Sequence, residues 1–163
     1  MLNLLLAAAL AAPAAPKPPA APKPRIAVAL LPPASPSSAI PLSYLIEERA
    51  NTLLDSSGRY AVNHLKQIQR MAQGEQLELS GLSDEPHVAQ AARHLGVSRG
   101  AWGSLEPAAK GWKLTLHALG APASAKPVVV ELPAELPQAV ERGGAAMAEV
   151  VASADKVALP RVA

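Results

Sequence analysis

Residues 25–31 form a continuous apolar run, Arg-Ile-Ala-Val-Ala-Leu-Leu, with β-branched Ile26 and Val28 and a proline at either side, Pro24 and Pro32. A short run with no polar alternation predicts a strand covered on both faces. Beyond a Pro- and Ser-rich loop the period changes. Leu42, Leu45, Ile46, Ala50, Leu53 and Leu54 recur at helical spacing and predict one apolar stripe, with Glu47, Glu48, Asn51 and Thr52 on the other side and Gly58 as the stop. Tyr60 to Val62 predicts a second short strand. Asn63 is the expected N-cap of a helix that turns Leu65, Ile68 and Ala72 inward. A further helix is expected to start at Ser83-Asp84-Glu85-Pro86, which combines a capping hydroxyl, first-turn acids and a first-turn proline. Its stripe is Val88, Ala91, Ala92 and Leu95, and Gly96 ends it.

Two strands are expected next, Ser98 to Glu106 and Trp112 to Leu119, joined by the turn from Pro107 to Gly111 as an antiparallel hairpin. In the second, Trp112, Leu114, Leu116 and Ala118 point one way while Lys113, Thr115 and His117 point the other. Val128 to Glu131 predicts another strand. A last helix from about Leu136 is expected to bury Leu136, Val140, Gly144, Met147 and Val151, with Gly143 and Gly144 letting its backbone approach a sheet closely. The expected order is β-α-β-α-α-β-β-β-α. That is an α/β (α+β) chain with a mixed four- to five-stranded sheet, parallel through the first crossover and antiparallel at the hairpin.

Composition narrows the function classes. The 163 residues suffice for one domain with a core, and the chain has no cysteine, hence no disulfide frame, thiolate site or lipobox. The net charge of +2 misleads, because Lys17, Lys23 and Arg25 precede every acid; the rest holds 12 basic against 13 acidic residues. A near-neutral domain lacks the clustered basic surface that displaces counterions from phosphates, so no nucleic-acid partner is expected. Met1 to Ala12 is Leu- and Ala-rich, too short to span about 30 Å of hydrocarbon, so no integral membrane span is expected. Residues 1–14 read as a signal-peptide-like segment, with small residues ahead of a cut near Ala15 but no positive n-region. Pro13 to Pro24 alternates proline, alanine and lysine, so residues 15–24 read as an extended proline-rich tether, 25–153 as the domain and 154–163 as a tail.

Chemistry is sparse. Gly96-Val-Ser98-Arg-Gly100 has the letters of a nucleophile elbow, but that device needs a strand entering and a helix leaving, the reverse of the order here. His87 and His94 are two helical turns apart, too far to share a metal, and His64 and His117 have no companion spacing. No catalytic residue, cofactor or metal is therefore expected. Trp102 stands out: the alternation through Arg99, Ala101, Gly103 and Leu105 places it with Gly100 and Ser104 on the opposite face. A large aromatic among small neighbours is either covered by a helix or offered to a partner. Trp102, Lys113 and His117 are the candidate partner-binding residues.

Four pieces in order, Arg25-Ile-Ala-Val-Ala-Leu-Leu-Pro32, Gly58-Arg-Tyr-Ala-Val-Asn-His64, Leu95-Gly-Val-Ser-Arg-Gly-Ala-Trp-Gly-Ser-Leu105 and Gly111-Trp-Lys-Leu-Thr-Leu-His-Ala-Leu119, resemble the TolB amino-terminal domain group. That group includes Lpo-type activators of penicillin-binding proteins and the globular part of curli-secretion CsgG. The resemblance runs over roughly Arg25 to Ala152. Gly96, Gly103 and Ser104 match its signature, Trp102 replaces a small polar residue, and His64 stands near a position where relatives often carry arginine. The propeller, membrane-spanning strands and lipobox of those relatives have no counterpart within these residues. What the resemblance implies is a non-enzymatic, exported module of a Gram-negative cell envelope that binds envelope proteins in the periplasm. A structural subunit of an envelope or secretion assembly, and a small-ligand protein or enzyme with a site assembled only by the fold, stand as alternatives.

Overall fold

A computed structural model describes residues 19–30, 39–63, 96–119, 121 and 124–154. Their elements are β1 (Arg25–Leu30), α1 (Ala39–Ser56), β2 (Ala61–Val62), β3 (Arg99–Ala108), β4 (Gly111–Ala118), β5 (Val128–Leu132) and α2 (Leu136–Ser153). The helices expected after Asn63 and from Pro86 fall outside the described residues, as do the signal-like segment and the tail beyond Ala154.

The strands form one mixed sheet in the order β2-β1-β3-β4-β5. β1 is parallel to both β2 and β3, and the β3–β4 and β4–β5 pairs are antiparallel. The apolar run of β1 therefore sits inside the sheet, as its composition demands. The hairpin is tighter than expected: Ala108 pairs with Gly111 across a two-residue turn, so Pro107 belongs to β3. It lies in the stretch of β3 that β1, ending opposite Gly103, no longer accompanies, where a missing N–H is tolerated.

Both helices pack on one face of the sheet. The core joins Ile26, Val28, Leu105, Leu114, Leu116 and Leu132 from the strands to Leu42, Ile46, Ala50 and Leu54 of α1 and Ala139, Met147 and Val151 of α2. α1 ends where Gly58 takes a φ of +66°.

Three helix expectations are corrected. Leu45 and Leu136 are exposed (38% and 49%), whereas Glu47 and Asn51, expected on the outer side, are buried. The reason is that α1 lies in the corner between the sheet and α2, so its covered arc turns toward Glu47 and Asn51 and away from Leu45. Leu136 sits at the first turn of α2, short of that corner. The third correction concerns Gly143 and Gly144, whose close approach is to α1 and not to the sheet. A Cβ on Gly143 would stand 2.9 Å from Ile46 Cδ1, and one on Gly144 would stand 2.7 Å from Arg49 Cβ and 3.2 Å from the Ala50 nitrogen. Beside this contact Arg49 Nη2 pairs with Glu141 Oε2 at 2.9 Å, tying the two helices together.

Candidate binding face

The face of the sheet turned away from α1 and α2 carries the predicted site. On β3 it presents Gly100, Trp102, Ser104 and Glu106, and on β4 Lys113, Thr115 and His117. The alternation of β4 expected from sequence holds, with Leu114 and Leu116 fully buried on the helix side.

Register brings Trp102 and His117 directly opposite one another, with Ala29 of β1 on the other side of Trp102. The two rings stack with centroids 4.3 Å apart and planes within 9° of parallel. Both residues are half-buried, and Trp102 belongs to neither apolar cluster found among the described residues. Its surroundings explain the accessible ring: Gly100 offers no side chain, and Ser104 is small. A Cβ at Gly100 would collide with the Ala27 carbonyl oxygen and stand 3.3 Å from Leu119 Cδ2, so the β1 backbone and the Leu119 side chain leave room only for glycine here.

Lys113 is in the same face but not in contact with the stack. It stands opposite Glu106, and its Nζ lies 3.8 Å from Glu106 Oε2, with both side chains well exposed. Thr115 and Ser104 form the row between the two pairs. The structure thus joins Trp102 to His117 and sets Lys113 two rows away, at the rim.

Ser98 does not sit on a strained elbow. Its N–H and its hydroxyl both donate to the Arg25 carbonyl, at 3.0 and 3.2 Å, which fastens the start of β3 to β1. Gly96 has a φ of +62°. Of the four histidines, only His117 lies among the described residues, and within these no group of three His, Asp or Glu side chains is placed to hold a metal.

Sequence reasoning missed Glu47. Burial pushes its carboxyl up to about 7, opposed by the hydrogen bond it accepts from the Leu30 N–H. A carboxyl so displaced is a common mark of function. Here it lies under the sheet, on the helix side, and acts on the end of β1. One turn further along α1, the buried Asn51 Oδ1 makes no hydrogen bond among the described residues. An open depression of about 590 Å³ lies along the outer side of α2, lined by Pro133, Pro137, Gln138, Glu141, Arg142 and Ala145, and Glu47 is not part of it. Among the described residues no helix is long and apolar enough to cross a membrane.

Among the described residues the fold is α+β, one mixed sheet with α1 and α2 on one face and the Trp102–His117 pair on the other. No family model and no curated protein matches the chain. A solved structure that it resembles is TolB from Acinetobacter baumannii, with 16% identity, 80% of this chain covered and a TM-score of 0.44. The chain spans 28% of the length of that protein.

Proposed function

We propose that this chain is a non-enzymatic protein–protein interaction module of the bacterial envelope, exported by its Leu2-to-Ala12 core and contacting its partner through the face that carries Trp102, Lys113 and His117. The observation that carries the reading is the half-buried Trp102–His117 stack set among Gly100, Ala29 and Ser104. Tryptophan is enriched among residues that dominate binding energy, because one rigid side chain offers a large apolar area with a polar handle. Stacking on His117 holds the indole in place before a partner arrives, which lowers the entropy of ordering it on binding. Lys113 and Glu106 supply the polar rim that such surfaces carry. Export draws on the sequence alone, namely core length and small residues near Ala15.

The test is crosslinking in the native host, comparing the wild-type chain with Trp102→Ala. The expected result is a discrete envelope protein captured by the wild type and lost in the variant, with the melting temperature unchanged within a few degrees. A stability loss of about 3–5 kcal/mol, the usual cost of emptying a buried aromatic site, would instead make Trp102 a packing residue. Native protein found in the cytosol with Met1 still attached would remove export from the reading.

A further inference from the structure

We propose that β5 is a docking edge that takes up an additional strand from a partner protein, an extended segment with a lysine or arginine where it passes Glu131 and a β-branched apolar residue where it passes Val129. This goes beyond the reading of the Trp102 face and uses a different part of the sheet.

The two edges of the sheet differ in kind. β2 closes one side with two residues, Ala61–Val62, too short to template a neighbour. β5 closes the other with five, Val-Val-Val-Glu-Leu, and no described strand pairs with its outer side. Val128 is 46% exposed and Val129 is 53% exposed. Register puts them on opposite faces: Val128 is opposite the buried Leu116, on the helix side, and Val129 is opposite Thr115. An added strand would therefore cover apolar surface on both faces while its backbone satisfied the outer edge, which is how strand addition obtains affinity and specificity together. Pro127 and Pro133 bound β5 and Glu131 is its one charged residue, so the edge open to a guest is the five-residue stretch 128–132, whose N–H groups are all intact.

The chemistry of the guest follows from the cross-strand rows. One row reads Glu131, Lys113, Glu106 from β5 to β3. Lys113 is drawn to Glu106 at 3.8 Å, leaving Glu131 at the edge without an ion pair among the described residues. Opposite charges directly across a ladder stabilise it and like charges oppose it, so a cation is the residue that continues the row. The next row reads Val129, Thr115, Ser104 and calls for an apolar β-branched side chain.

A second copy of the chain does not meet this requirement. Two β5 strands paired antiparallel about a two-fold axis must keep their faces, so Glu131 meets only odd-numbered residues of the other copy. Within β5 those are Val129 and Glu131, neither of them a cation. The occupant is therefore a different protein.

The experiment titrates the isotope-labelled full chain with the capped peptide Thr-Val-Thr-Lys-Thr-Val-Thr and with the same peptide carrying Glu for Lys, following backbone amide shifts. The expected result is perturbation confined to residues 128–132 and their β4 neighbours, with about fivefold tighter binding of the Lys peptide. Glu131→Lys should reverse that preference, and Trp102→Ala should leave it intact, which separates this inference from the reading of the Trp102 face. Equal affinity for both peptides, perturbation centred away from β5, or no change in β5 at millimolar peptide would each overturn it.

Discussion

The carboxylate of Glu47, buried in the middle of α1, accepts the backbone N–H of Leu30 at the last residue of β1, with Oε1 2.5 Å from the nitrogen. Burial raises its pKa from 4.5 to about 7, while the hydrogen bond from Leu30 pulls it down. Helix and strand are thus joined by a group that holds a proton in the folded chain at a pH where the unfolded chain has released it.

The sign of the resulting pH dependence is set by that difference. Between pH 4.5 and about 7 the folded state binds the extra proton, so stability is greatest below this window and falls as pH rises through it. The loss attributable to Glu47 is up to about 3 kcal/mol. Glu47→Gln keeps an acceptor for Leu30 and removes the titration, so it should flatten the profile and exceed the wild type in stability at pH 8. Urea unfolding at pH 5 and pH 8 measures this; parallel profiles for the two proteins would refute it.

At the contact between helices, Gly144→Ala sets two effects against each other. Alanine improves helix propensity by about 1 kcal/mol. Its methyl would press on Arg49 and the backbone of Ala50, forcing the helices apart at the tightest point of their contact. Overpacking costs about 1–3 kcal/mol, so the net expectation is a loss of about 1 kcal/mol and weakening of the Arg49–Glu141 pair. Thermal melts decide it, and a more stable variant would mean that α1 and α2 have slack.

For the aromatic pair the informative quantity is coupling. A double-mutant cycle with Trp102→Ala and His117→Ala should return an interaction energy of about 0.5–1.5 kcal/mol, the range for stacked rings beyond their burial. Leu116→Ala on the buried face of the same strand should cost about 2–5 kcal/mol alone. A cycle that sums to zero would show that the rings are held by the strands and not by each other.

The proline-rich leader should be energetically silent. Pro13 to Pro24 has no apolar side chain larger than alanine or proline, and the described residues 19–23 are exposed. Such a segment cannot offset the entropy of its own ordering. A chain beginning at Pro24 should melt within error of one beginning at Ala15; a drop of many degrees would show that the leader docks on the domain.

Local pattern was enough to place the strands and to separate the two faces of β4, because alternation over eight residues with one buried side admits a single register. It also marked Trp102 as unusual among its small neighbours and put His117 on the side of its own strand away from Leu114 and Leu116. What it could not supply was the pairing of strands distant in sequence, so the stack of Trp102 on His117 had to await the register of the hairpin. The helix faces show the same division. The period of α1 announced a helix, but a helix resting in the corner between a sheet and a second helix is covered over a wider and rotated arc. That geometry buried Glu47 and Asn51, exposed Leu45, and turned Gly143 and Gly144 toward α1. The raised pKa of Glu47 and the open edge at β5 are likewise properties of neighbours, present or missing, that no window of the sequence contains; the elements follow from local chemistry, and the site follows from what they meet.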